Sequence, residues 1–285
     1  MNLRPILLMA VLGVTTVALA DNTFDRTLNV SSQPDLYVST GSGNIHIVPG
    51  SGSQIHIVGH VHAGWSAFGD VSARVQHIIE NPPIAQNGNS VRIGEVMDHS
   101  LFNNISIDYD INVPVDVALN LHSGSGDVEV DNVGRFLSAT SGSGTVRARG
   151  IHGPADLESG SGELTLEDAG AGDVKAKTGS GDIRVHGFNG SFNARTGSGD
   201  IDAYGHLQNG GMIMTGSGDV KLHLTPDSKF TLEAATGSGD IRVNMPGVMA
   251  ANSESSRHHV TTDVNGGGPA LQIRTGSGDI EIAPR

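Results

Sequence analysis

One tripeptide recurs through this chain and limits what it can fold into. Gly-Ser-Gly begins at Gly41, Gly124, Gly142, Gly160, Gly179, Gly197, Gly216, Gly237 and Gly276. From Gly124 onward the spacings are 18, 18, 19, 18, 19, 21 and 39 residues, the last close to two periods. The residue before the motif is Ser123, Ser141, Ser159, Thr178, Thr196, Thr215, Thr236 and Thr275. The residue after it is Asp127, Thr145, Glu163, Asp182, Asp200, Asp219, Asp240 and Asp279, followed each time by Val, Leu or Ile. A fixed period of this length is the signature of a repeat architecture.

Within each repeat the residues alternate with period two on both sides of the glycines. Val174, Ala176 and Thr178 share one parity, as do Ile183 and Val185 after the turn, while Lys175, Lys177, Arg184 and His186 take the other. That pattern predicts two short half-buried strands per repeat. Glycine's access to positive φ suits it to the turn between them. One such unit cannot bury its apolar face alone, but stacked units can, at the strand spacing of about 4.8 Å. The expected fold is all-β: a single-chain β-solenoid (β-helix) with 18 to 19 residues per coil. A β-sandwich of hairpins fits the alternation but needs no identical turn at each period.

Arg4, the apolar run Ile6 to Ala18 and Ala18-Leu19-Ala20 read as a secretory signal peptide over residues 1–20. No later stretch is apolar enough for a transmembrane helix. The protein is therefore expected to be secreted across the cytoplasmic membrane, to the periplasm or the cell surface. Residues 21–120 read as irregular strands with an outlying motif copy at Gly41. Val71, Val75, Ile78 and Ile79 mark a short helix near 70–80, ended by Pro82-Pro83, that would cap the open end. Residues 121–285 carry the regular repeats, broken at 245–268 by a looped-out or irregular coil. Residues 21–285 read as one continuous domain.

The Thr-Gly-Ser-Gly-Asp-Ile units at Thr178–Ile183, Thr196–Ile201 and Thr275–Ile280 resemble the bacterial DUF4097 family, and the related head-GIN adhesin-like family. The stretch Ile107–Pro114 and the closing Gly266-Gly267-Gly268-Pro269 are similar to other parts of that family. The resemblance implies an exported β-helix-like protein with an adhesin label, and it brings no catalytic residues.

Composition narrows the chemistry. The net charge of −13 (17 Lys and Arg, 30 Asp and Glu) argues against a nucleic-acid partner, whose phosphates recruit basic faces. The absence of cysteine excludes disulfides, thiolate metal sites and cysteine nucleophiles. The acid column (Asp182, Asp200, Asp219, Asp240) invites a calcium reading, since calcium takes oxygen ligands. It matches glycine-rich calcium rolls poorly, because their motif separates Gly from Asp and recurs twice as often. The alternative is that each carboxylate accepts N–H hydrogen bonds from its own or a neighbouring turn. His46, His56, His60 and His62 alternate with aliphatics, so they face solvent together, where imidazoles can bind zinc or copper or simply form a solvated face. The Ser/Thr column is expected to point inward and bond turn backbone.

No nucleophile elbow and no singular carboxylate pair departs from the repeat, and Trp65, Tyr37, Tyr109 and Tyr204 lie in different segments, so no polysaccharide-active enzyme site is read. The function expected is an adhesin-like envelope interaction module without cofactor, binding a glycan or protein through outward columns that include Lys175, Lys177, Arg184, His186, Arg195, Asp202, Lys221 and His223. Its rival is a structural, self-assembling envelope protein, and a β-helix polysaccharide-active enzyme is the lesser alternative.

Overall fold

The computed structural model describes residues 22–64, 71–94, 99–248, 254–255 and 258–285. The expected signal peptide and Trp65 lie outside the described residues. The chain is all-β apart from one α-helix and a short 3-10 turn, and its strands join in one hydrogen-bonded sheet of 23 strands.

Each Gly-Ser-Gly corner joins a first strand to a second strand, and the two make a tier. The first tier is Asp35–Thr40 with Ile45–Pro49. The second is Ala118–Ser123 with Val128–Asp131, and the third Phe136–Ser141 with Val146–Arg149. The fourth is Ala155–Ser159 with Leu164–Glu167. Val174–Thr178 opens the fifth. The long strands Ile183–Thr196 and Ile201–Thr215 then run through the fifth, sixth and seventh tiers, and Val220–Leu224 completes the seventh.

Successive tiers pair parallel and in register. On the first side Leu119, Leu137, Ala155, Val174 and Phe192 are partners in turn. On the second side Val128, Val146, Leu164, Ile183, Ile201 and Val220 follow one another. All of these side chains are buried. The period-two alternation fixes this register, because a one-residue slip would turn every aliphatic to solvent. Beyond Phe192 the first side meets Gly211, and the buried rings of Phe188 and Phe192 stack on one another (5.0 Å between centroids).

The outlying motif at Gly41 is a full tier, so parallel stacking begins at Asp35, well before residue 121. On its far side Ser90–Ile93 pairs parallel with the first strand and Ile105–Val113 with the second. Gln54–Ala63 then adds antiparallel to Ile105–Val113, and Thr23–Asn29 to Gln54–Ala63. The helix forms over Val71–Glu80, as its apolar spacing predicts, and packs buried Val75 and Ile78 against the last two of these strands.

The last two tiers are laid down out of chain order. After the seventh tier the chain builds Phe230–Thr236 and Ile241–Val243, which lie outermost. The C-terminal strands Ala270–Thr275 and Ile280–Pro284 insert between, paired parallel on both sides. Residues 245–268 are not merely a looped-out coil: His259–Val264 pairs antiparallel along the outer edge of Phe230–Thr236. That cover matters because an open edge recruits other strands. The chain then turns back through Asn265, Gly266 and Gly267, all at positive φ, into the inserted tier.

Candidate functional site

The corners come first, because they set where every outward side chain stands. The inward Ser/Thr hydroxyl does two jobs at each corner. In the sixth tier Thr196 Oγ1 accepts the Gly199 N–H (3.1 Å) and donates to the carbonyl of Gly181 one tier below (2.9 Å). Ser123, Ser141, Ser159 and Thr178 repeat the arrangement. These residues are buried, so the hydroxyl column serves the core and no face.

The glycines answer a different need from the one their turn suggests. From Gly124 to Gly218 none of the twelve corner glycines has a positive φ. What excludes a side chain is the tier below: a Cβ on Gly199 would sit 2.0 Å from the Gly181 oxygen. Gly41, with no corner beneath it, would have nothing within 4 Å.

The acid column is hydrogen-bonded along the stack. Asp182 Oδ1 accepts the Asp200 N–H at 3.0 Å, and Asp200 Oδ1 accepts the Asp219 N–H at 2.8 Å. Asp240 is not the next member. Asp279 of the inserted tier stands between, bonding to Asp219 Oδ1 through its N–H (2.8 Å) and accepting from Asp240 N–H (2.9 Å). That backbone N–H holds the Asp279 carboxyl below its usual range. Asn44 occupies the same column in the first tier, accepting from Asp127 N–H and donating its own N–H to Asp108. Glu163 departs from the pattern and turns to Arg184, whose hydrogen bond lowers the Glu163 pKa.

The four histidines face outward together, as alternation predicts, and each meets a carboxylate that sequence spacing did not reveal. His62 bonds to Asp108 (2.9 Å) and His56 to Asp25 (2.9 Å). His46 (3.2 Å) and His60 (3.1 Å) take the two oxygens of one carboxylate, Asp110. The strand Ile105–Val113 supplies Asp108 and Asp110 because it lies between the strands of His46 and His60. Among the described residues no group of three or more such side chains is arranged to hold a metal ion.

The outward columns read as one surface in sequence fall on two faces. The second strands carry Glu129, Arg147, Thr165, Arg184, Asp202, Lys221, Glu281 and Arg242 in register, with signs that largely alternate from tier to tier. Beside them His186 stacks on Tyr204 (4.4 Å), and Arg285 lies over the Tyr204 ring (3.9 Å). The first strands carry Lys175, Lys177 and Arg195. Lys177 pairs with Glu158, but its other register neighbour is Arg195, which is followed by Met214. Met212, 46% exposed, stands next to them.

A cleft of about 600 Å³ opens beside the first corner, bordered by Thr40, Gly41, Ser42 and His122. Sequence reasoning missed it, since nothing local signals a corner left uncovered.

The sequence matches the family described as Toastrack DUF4097 over residues 15–283. The chain belongs to this DUF4097 family. No protein of curated function matches it. Among solved structures it is similar to a candidate adhesin from Bacteroides fragilis (13% identity, TM-score 0.45, 91% of this chain and 96% of that one). It also aligns with a candidate cell adhesion protein from Clostridium sporogenes (12% identity, TM-score 0.22, 92% of this chain and all of that one). Among the described residues of this DUF4097 chain, no helix is long and apolar enough to cross a membrane.

Proposed function

We propose that the nine tiers form a β-solenoid, that the protein is exported to the periplasm or cell surface, and that it works there as a binding module. The observation that carries the binding role is the contrast between its two outward faces. On the second-strand face, cations and carboxylates alternate by tier and neutralise one another at strand spacing. On the first-strand face Asp156 and Glu158 adjoin Lys175 and Lys177 on one side only, and Arg195 extends the cations on the other, beside exposed Met212 within an acidic protein. A rigid stack holding cations beside an apolar spot suits an anionic envelope polymer, bound through many weak contacts.

We assign the protein no catalytic role and no metal. One carboxylate oxygen each of Asp182, Asp200, Asp219 and Asp279 already accepts a backbone N–H group, and the outward histidines are engaged by Asp25, Asp108 and Asp110.

The test is co-sedimentation of the purified exported chain with peptidoglycan and with anionic envelope polysaccharide. The triple variant Lys175→Glu, Lys177→Glu, Arg195→Glu should lose binding, while Lys221→Gln on the other face should keep it. Equal binding by the triple variant would refute the assignment. A second reading, end-to-end assembly, draws on strands paired on one side only among the described residues, such as Thr23–Asn29 and Ile241–Val243. A mass that grows with concentration in sedimentation would favour it.

A further inference from the structure

The tier made of Ala270–Thr275 and Ile280–Pro284 comes after both of its neighbours in the chain. Its inner wall is residues 211–215 and 220–224, and its outer wall residues 231–236 and 241–243. The two walls stand two strand spacings apart, about 9.6 Å. They can hold that separation only while a strand pair fills the slot between them.

The slot is selective about what fills it. Leu271, Ile273, Ile280 and Ile282 enter it and are fully buried. Both walls bond to the corner. Thr275 Oγ1 donates to the Gly218 carbonyl on the inner wall (2.9 Å), and Thr236 Oγ1 on the outer wall donates to the Gly278 carbonyl (2.9 Å). The Asp279 N–H donates to Asp219 Oδ1, and Asp279 Oδ1 accepts the Asp240 N–H. A Cβ on Gly276 would lie 2.5 Å from the Gly216 oxygen, so the occupant needs glycine there. It must therefore be a pair of alternating strands around Thr-Gly-Ser-Gly-Asp. Left empty, the slot would expose two sheet edges and strand their backbone groups.

These contacts are the same whichever copy of the chain supplies the strand pair. What ties the pair to its own copy is the turn at residues 265–269. Asn265 (φ 51°), Gly266 (φ 91°) and Gly267 (φ 79°) fold the chain back there. The Asn265 side chain holds the turn shut by donating to the carbonyls of Pro226 (2.9 Å) and Ser228 (2.8 Å). Opening the turn gives up those two bonds. It also releases Asn265, whose Cβ disfavours positive φ, to an ordinary extended backbone. Extended, the five residues reach about 17 Å, enough to carry the strand pair out of its own slot.

We propose that the slot takes residues 270–285 of a second copy in exchange for its own, giving a closed two-fold dimer. Each copy keeps every strand pairing of the monomer, and only the turn at 265–269 changes. Such a pair closes on itself, unlike an end-to-end stack. The exchange does not rest on the cationic face. If that face binds as proposed, the dimer presents it twice.

The chain has no cysteine, so a pair of introduced thiols can report which copy fills the slot. Met214→Cys and Arg274→Cys stand at directly paired positions, one on the inner wall and one on the inserted strand. The full chain carrying both is refolded from urea under reductant at rising protein concentration, then oxidised and run on a denaturing gel. A covalent dimer whose share rises with refolding concentration is expected, and either cysteine alone should give none. Deleting Gly266, Gly267 and Gly268 leaves too little chain to fold back, so that variant should sediment as a dimer at every concentration. The cysteine result decides the matter if the shortened turn does not fold. Internally crosslinked monomer at all concentrations would overturn the proposal. So would crosslinking by a single cysteine, a dimer by mass without the 214–274 crosslink, or a folded monomer with the shortened turn.

Discussion

Replacing Gly199 by Ala adds one methyl group to an otherwise ordinary backbone conformation. In an isolated turn it would be harmless, because Gly199 does not occupy positive φ. In the stack the new Cβ would lie 2.0 Å from the Gly181 oxygen, 2.5 Å from its carbonyl carbon and 2.9 Å from the Asp182 nitrogen. Ordinary contact begins near 3.4 Å. These are backbone atoms, so no side chain can swing aside and the two corners must part by more than an ångström. Three hydrogen bonds span or brace that junction: Thr196 Oγ1 to Gly181 O, Gly199 N to Thr196 Oγ1, and Asp200 N to Asp182 Oδ1. Overpacking costs about 1–3 kcal/mol, and each of the three weakened hydrogen bonds about 0.5–1.5 kcal/mol, giving about 2.5–7.5 kcal/mol together. Since a domain is stable by only about 5–15 kcal/mol, that is a large share. Each tier leans on its neighbours, so the damage should concentrate around the sixth tier. Urea unfolding followed by far-UV circular dichroism measures the loss, and hydrogen exchange locates it. Gly41→Ala is the matched control. It makes the same chemical change with nothing within 4 Å, and should stay within about 0.5 kcal/mol of wild type. If Gly199→Ala proves as stable as Gly41→Ala, close stacking is not why the corners are glycine.

Three further outcomes follow from the same contacts. Thr196→Val keeps the shape but strands the Gly199 N–H and the Gly181 carbonyl, so a loss of about 1–3 kcal/mol is expected in the urea midpoint; a loss below about 0.5 kcal/mol would deny the hydroxyl its role. Glu163, Asp173 and Asp279 have pKa values lowered by Arg184, by Ser191 and by the Asp240 N–H respectively. Their stabilisation is full above the ordinary carboxylate range near about 4 and is lost as pH falls through the lowered values. Melting temperature should therefore drop below about pH 4, and Glu163→Gln should flatten that fall; an unchanged profile would contradict it. Deleting residues 269–285 removes a tier paired on both sides, so the truncated chain should associate with concentration in sedimentation. Adding the missing segment as a peptide should reverse this, and a truncated chain that stays monomeric with native exchange protection would argue against an obligatory insert.

Much of the strand pattern was legible because alternation and period are local properties of the chain. Leu157, Ala176, Ile183 and Val185 declare their inward parity without any knowledge of their partners. The outward set of His46, His56, His60 and His62 was readable for the same reason. Their carboxylate partners were not, since Asp25 and Asp110 reach them through antiparallel and parallel pairings that the repeat does not encode. Asp279 could not be placed between Asp219 and Asp240 from a spacing of 39 residues, which looks like a missing coil. The division of Lys175 and Arg184 between two faces was hidden because both alternate outward on their own strands, while the corner between them places them on different strand columns.

The sequence by itself determined that this chain stacks: its period, its inward columns and its corner positions follow from residue type and spacing alone. Tertiary structure decided the reason for the glycines, the order of the last two tiers and the opening beside the first corner. Each depends on what lies one tier above or below. That distance is about 4.8 Å in space but 18 to 83 residues along the chain, so no local signal in the sequence can carry it.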